Sequence, residues 1–123
     1  MKIRFDFDLG VHKVKGVLTL EKEALNIEWR RFNMMEAPLG PLESKTVPYT
    51  DLDDITLRRR PFRPTIEVKA KSASTFGSMP LPAGDLTSLK ARVDRKDRRQ
   101  AEAWGAEAYL RIADAMPGGE LLE

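Results

Sequence analysis

The residues best equipped for chemistry in this chain are cations. Arg58, Arg59, Arg60 and Arg63 fall within the stretch RRRPFR, punctuated by Pro61 and Pro64. Guanidinium forks grip phosphate and carboxylate bidentately, so converging arginines would form a site for a phosphate, a lipid headgroup or a nucleic-acid backbone. Arg30 and Arg31 form a second pair ahead of a proline-rich loop. Successive strand residues point to opposite faces, so the run cannot all serve one ligand. A solvated strand end that uses arginine to guard a sheet edge is the plainer reading of the same residues. A third group, Arg95, Lys96, Arg98 and Arg99, surrounds a predicted helix start, where a solvated junction competes with an anion site.

Other chemical groups are sparse. His12 is the only histidine, and no cysteine is present. Thiol catalysis, disulfides and cysteine-ligated zinc are therefore excluded. Asp51, Asp53 and Asp54 crowd together, but the spacing and distal glutamate of an EF-hand are missing, which makes them a turn. The sequence carries no Ser-His-Asp order, phosphate-binding Walker loop or dinucleotide glycine motif. The expectation is a protein that is not an enzyme and uses no metal and no cofactor.

Bulk properties set the frame. The chain has 123 residues, 41% of them hydrophobic and 33% charged, which suits one globular domain with a self-sufficient core. Its 21 basic and 19 acidic residues nearly cancel, giving a formal charge of +2 and arguing against a dedicated nucleic-acid binder. The start, MKIRFDFDLG, is charged and alternating, unlike a signal peptide, and no apolar run reaches the length of about 20 residues that spans a bilayer. A cytoplasmic location is the resulting expectation. Residues 1–117 read as a single domain and residues 118–123 as a flexible C-terminal tail.

These groups must be positioned by strands. Ile3, Phe5, Phe7 and Leu9 alternate with Lys2, Arg4, Asp6 and Asp8, the signature of a half-buried strand. Val14, Gly16, Leu18 and Leu20 repeat the pattern, and Gly16 marks a bulge or a close approach of another segment. A polar link at Glu21, Lys22 and Glu23 leads into Leu25, Ile27 and Trp29, forming a hairpin. Residues 33–44 form a loop around two prolines and a glycine, with Met34, Met35 and Leu39 expected to fold back on the core. Val47 and Tyr49, then Ile55 and Leu57, then Ile66, Val68 and Ala70, and finally Leu89, Ala91 and Val93 supply further strands. The period then changes. Asp97 and Gln100 have the spacing of a capping box, and Ala101, Trp104, Gly105, Ala108, Ile112 and Ala115 share one helical face. Leu110 lies nearly opposite that stripe, where a second chain could reach it. Strands first and one helix last describe a small barrel or sandwich plugged by the helix.

Three segments resemble the bacterial pleckstrin-homology-like proteins of unknown function. KGVLTLEKEALNIEW is similar to their opening hairpin, KTVPYTDLDDITLR to a strand–turn–strand unit, and LKARVDRKDRRQAEAW to the last strand running into the capping helix. The resemblance implies a mainly β fold with one C-terminal α-helix: about seven antiparallel strands in two near-orthogonal sheets, capped by the helix. It makes the strand at residues 2–9 an extra element unless residues 72–79 are irregular. It also implies binding rather than catalysis, with lipid headgroups, peptides or further copies of the domain as partners. Relatives that bind phosphoinositides carry cations in the first and third hairpin turns. With residues 2–9 counted as extra, those turns here hold Glu21, Lys22, Glu23, Asp51, Asp53 and Asp54, which argues against the usual lipid site.

Two functional readings follow. The leading one is a binding or assembly module acting through protein contacts or self-association, by a strand edge or by the Leu110 side of the helix. The alternative is weak binding of an anionic ligand or membrane surface through Arg30, Arg31, Arg58, Arg59, Arg60 and Arg63. Successive turns of a meander alternate ends, so the arginine turns should share one end and the acidic turns the other.

Overall fold

The computed structural model describes residues 1–59, 61–81 and 85–116. The suggested tail at residues 118–123 and Arg60 lie outside the described residues. The fold is mainly β: β1 (Lys2–Leu9), β2 (His12–Leu20), β3 (Ala24–Phe32), β4 (Glu43–Pro48), β5 (Leu52–Arg58), β6 (Thr65–Ala70) and β7 (Ser88–Arg92), followed by α1 (Arg98–Ala115). All strand pairs are antiparallel, and the order across the sheet is β4-β3-β2-β1-β7-β6-β5. Residues 72–79 form turns rather than a strand. The N-terminal strand is therefore not an addition to seven but one of them, at the centre of the sheet.

The two near-orthogonal sheets that the resemblance implies are one hydrogen-bonded sheet here. It narrows to a single residue pair, Asp6↔Arg92, where β1 meets β7. A short connection bends it. The outermost strands, β4 and β5, are joined only by the 3-10 turn Tyr49–Asp51. Laid flat, seven strands at about 4.8 Å spacing would hold these edges roughly 29 Å apart. The four Cα steps from Pro48 to Leu52 reach at most about 15 Å. The sheet must curl until its edges approach at that corner. No ladder joins β4 to β5 among the described residues, so the sheet is curled but not closed into a barrel.

The concave face holds the core, as the alternation predicts. Ile3, Phe5 and Phe7 of β1, Val14, Leu18 and Leu20 of β2, and Leu25, Ile27 and Trp29 of β3 are all buried. In β5 the alternation breaks. Leu52 and Ile55 both point inward although three positions apart, because a register shift between Leu52 and Asp54 inserts one residue. Phe76 and Met79 enter the core from the β6–β7 connection.

Helix α1 packs against β5, β1, β2 and the Tyr49–Asp51 turn. Ala101, Trp104, Ala108 and Ile112 form its buried face, and Ala113 is buried as well. Trp104 is fully buried, and its Nε1 donates to the Leu18 carbonyl at 3.2 Å, which pairs the indole N–H inside the core. The expected capping box does not form. Asp97 occupies the N-cap position without a side-chain cap bond. Its carboxylate instead accepts from Arg4 Nη2 at 3.2 Å, and Gln100 Nε2 donates to the Lys2 carbonyl at 2.7 Å. Both side chains tie the helix start to β1. A 3-10 turn over Arg95–Asp97 leads directly into the helix.

Two glycines mark the tightest backbone approaches. A methyl group on Gly16 would lie 2.0 Å from the Glu28 carbonyl oxygen and 2.8 Å from Phe5 Cε1. The pairing of β2 runs without a bulge through this point, so Gly16 serves close approach. On Gly105 an added methyl would meet only the Leu57 side chain, Cβ at 3.4 Å and Cδ2 at 3.9 Å. Gly16→Ala should therefore destabilise the chain by about 3 kcal/mol, since backbone must move. Gly105→Ala should stabilise it by up to about 1 kcal/mol through helix propensity. Urea unfolding of both variants checks the opposite signs.

Candidate functional site

Antiparallel neighbours alternate direction, so the connections sort to two ends. Gly10 and Val11 (β1–β2) and residues 33–42 (β3–β4) lie at one end. The β2–β3 turn lies at the other. Because β7 runs antiparallel to β1, β5 runs the same way as β4, and the β5–β6 connection falls at the sheet end of the β2–β3 turn. Arg30 and Arg31 belong to the first end, and Arg58, Arg59 and Arg63 to the second with Glu21 and Glu23. The charge separation expected from the meander is not present, because the Tyr49–Asp51 turn joins two strands that run in the same direction. With residues 2–9 as the first strand, the first and third connections are Gly10–Val11 and residues 33–42. The acidic turns are the second and fourth, so the count that argued against a lipid site does not hold.

The arginines serve different partners. Arg58 Nε and Nη2 donate to Glu67 Oε1 at 3.3 and 3.1 Å. Arg59 Nη2 reaches Glu102 Oε2 of α1 at 3.5 Å. Arg63 forks onto Asp6, with Nη1 to Oδ1 at 3.2 Å and Nη2 to Oδ2, while its Nε donates to the Val93 carbonyl at 3.3 Å. Arg92 Nη2 lies 3.0 Å from Asp6 Oδ1 and 3.1 Å from Asp8 Oδ2. This network clasps the β5–β6 turn to the narrow junction of β1 and β7. The Asp6 bonds outweigh partial burial and hold the Arg63 guanidinium protonated above its usual range. Arg30 Nε donates to the Gly40 carbonyl at 2.7 Å and braces the long loop. Arg31 is exposed, with no partner among the described residues. It lines a shallow cavity of about 490 Å³ with His12, Leu39, Gly40, Pro41 and Glu43.

Exposed apolar tips on the turns are the feature that sequence reasoning missed. Val11 (71% exposed), Met35 (86%) and Phe62 (77%) stand in solvent, and Met34, Leu39 and Leu42 are also exposed. The long loop does fold back, but through polar bonds rather than through its apolar side chains. Asn33 Oδ1 accepts from the Met35 and Ala37 amides at 2.8 and 3.0 Å, and the Leu39 amide donates to the Arg31 carbonyl at 2.9 Å. Glu36 takes the left-handed conformation, with φ of 63°. Its carboxylate pairs with Lys13 at 3.4 Å and with Lys15, and these bonds, Lys15 first, hold its pKa below the ordinary carboxylate range. The backbone is thus doubled onto itself and the methionines are turned out. Asn at the loop entrance was the available signal, because its side chain closes such turns.

On the convex face of β6, Glu67 is a buried carboxylate. It is held by Arg58 and by Ser88, whose Oγ donates at 3.2 Å. Burial pushes its pKa up, but the Arg58 and Ser88 bonds and the Lys69 charge prevail and set it below the usual range. Trp29 and Trp104 are both in the core and offer no stacking platform. Among the described residues no cluster of His, Cys, Asp or Glu is arranged to hold a metal ion.

The pairing pattern separates structural from dispensable arginines. Arg63→Ala should destabilise the fold by about 2 kcal/mol, because it strips the fork from the half-buried Asp6. Arg59→Ala should change stability by less than about 0.5 kcal/mol, as an exposed pair. Chemical denaturation distinguishes the two. A folded-state pKa below the unfolded value means that the Glu67 bonds add stability at neutral pH, which is lost as pH falls through the lowered value. Glu67→Gln should therefore be less stable than the native chain at pH about 7 and approach it below pH about 4. Urea unfolding across that range reads the convergence.

No protein-family model, no curated protein and no solved structure matches this chain.

Proposed function

We propose that this chain is a non-enzymatic binding module, of pleckstrin-homology-like design, that docks its turn end onto an anionic membrane surface. The observation that carries this reading is the coincidence of exposed apolar tips with cations at one end of the sheet. Val11, Met34 and Met35 project from turns at that end. Lys13, Lys15, Arg30 and Arg31 stand in or beside the same turns, and Arg63 lines a cavity with Gly10, Lys13 and Met34. A cation near an anionic leaflet contributes about 1 kcal/mol. Fully burying a Val, Met or Phe side chain contributes roughly 1.5–3 kcal/mol. Neither term alone holds a small domain on a bilayer, but together they suffice. Lys13 and Lys15 are already paired with Glu36 and Arg63 with Asp6, so Arg31 and the apolar tips make the first contacts. No helix is long and apolar enough to cross a membrane. The reading is therefore peripheral attachment, on the cytoplasmic side where anionic lipids concentrate.

The protein-contact reading is favoured by a different surface, the outward face of α1, which the next subsection develops.

Co-sedimentation with vesicles tests the membrane reading. The chain should pellet with phosphatidylcholine vesicles that contain phosphatidylserine and stay in the supernatant with phosphatidylcholine alone. Raising salt should release it, because screening removes the cationic term. Met35→Asp and Arg31→Glu should each weaken pelleting about ten-fold, roughly the effect of 1.4 kcal/mol. Equal partition onto neutral and acidic vesicles, or none onto either, would overturn it.

A further inference from the structure

We propose that a second copy of this chain packs against the outward face of α1, antiparallel to it and related by a two-fold axis near Ala106. The helix buries Ala101, Trp104, Ala108 and Ile112 on one face and Ala113 near its C-terminus, yet the side opposite that face is not a polar surface. Ala103, Ala106, Tyr109 and Leu110 are all exposed there, Tyr109 by 60% and Leu110 by 50%. At 3.6 residues per turn, Arg99, Ala103, Ala106, Leu110 and Asp114 fall along one stripe. Their spacing of three and four is the seam of a paired helix.

The stripe is self-complementary when reversed. Set antiparallel about Ala106, each Ala103 faces Leu110 of the second copy, so a large side chain meets a small one twice. Arg99 then faces Asp114 of the second copy, also twice. A two-fold interface demands this reciprocity: if one residue meets another, the converse must also hold. In the single chain, neither Arg99 nor Asp114 has a partner among the described residues. Each also sits at the wrong end of its helix. The first turn carries no acidic residue and the last turn no basic one, whereas the macrodipole favours the reverse. An antiparallel neighbour supplies the missing charge at both ends. A parallel neighbour would set Arg99 against Arg99. A lipid surface would repel Glu102 and Asp114. Charge complementarity therefore selects a second copy, and only in the antiparallel sense.

One helix face is a small contact by the standard of specific interfaces, about 1,200 Å² or more in total. The pair should accordingly form as concentration rises and weaken as salt screens its rim. It involves no residue of the turn end, so it stands or falls independently of membrane docking.

Sedimentation velocity over a concentration series is the test. The native chain should move from monomer to dimer as it approaches millimolar concentration. Leu110→Asp, Arg99→Asp and Asp114→Arg should each shift the midpoint at least ten-fold upward. The last two place the charges that the helix dipole prefers, so loss of pairing in them is not loss of folding, and circular dichroism should show unchanged helix. An equimolar mixture of Arg99→Asp and Asp114→Arg should dimerise again, because every rim contact in that mixed pair joins opposite charges. Met35→Asp should dimerise like the native chain. A strict monomer at millimolar concentration overturns the proposal. So does native-like association of the Leu110→Asp chain, or a mixture that fails to recover.

Discussion

A single residue pair holds the two halves of this sheet together. β1 and β7 share only Asp6↔Arg92. Around it, Arg63 and Arg92 converge on Asp6, and Arg92 extends to Asp8. Four charged groups thus make the bridge that a longer ladder would make in a wider sheet. The bridge is half-exposed, so each ion pair alone would contribute little. Its strength comes from shared geometry. One carboxylate accepts from two guanidinium groups on different segments, and ordering the first side chain lowers the entropy cost of ordering the next. The same cluster borders the turn end, since Asp6, Asp8, Arg63 and Arg92 line a cavity with Gly10, Lys13 and Met34. Architecture and candidate surface therefore meet at one cluster.

The strands could be read from the sequence because one face of each is wet and the other dry. That contrast writes itself as alternation, and the bounds of β1 follow from it directly. Where the contrast fails, so does the reading. β5 departs from period two at Leu52 and Asp54 because the extra residue that bends an edge strand leaves no compositional trace. The capping spacing at Asp97 and Gln100 is genuine, but local spacing cannot register a competitor from elsewhere in the chain. Arg4 and the Lys2 carbonyl lie more than ninety residues away in sequence, and they take both side chains.

The candidate surface was harder to read. Its charge separation was misjudged, because counting turns assumes that every connection reverses the chain, whereas the Tyr49–Asp51 turn joins two strands that run the same way in the sheet. The fate of each arginine was not legible either. Asp6, Glu67 and Glu102 are brought to Arg63, Arg58 and Arg59 by folding, and nothing local to the run announces them. The loop methionines were misread for a related reason. Apolar character says that burial is favourable, but Asn33 and Glu36 fix a backbone path that turns those side chains outward. An apolar side chain held in water by its own backbone is costly in isolation, which is why such tips point to contact with something else.

The hydrogen-bonded path of the long loop has an entropic consequence. Met34 and Met35 are already turned into solvent by a backbone that Asn33 and Glu36 hold in place. A partner that covers them need not first order the loop. The chain would reach its bound form without the ordering cost that a slack segment of that length would add.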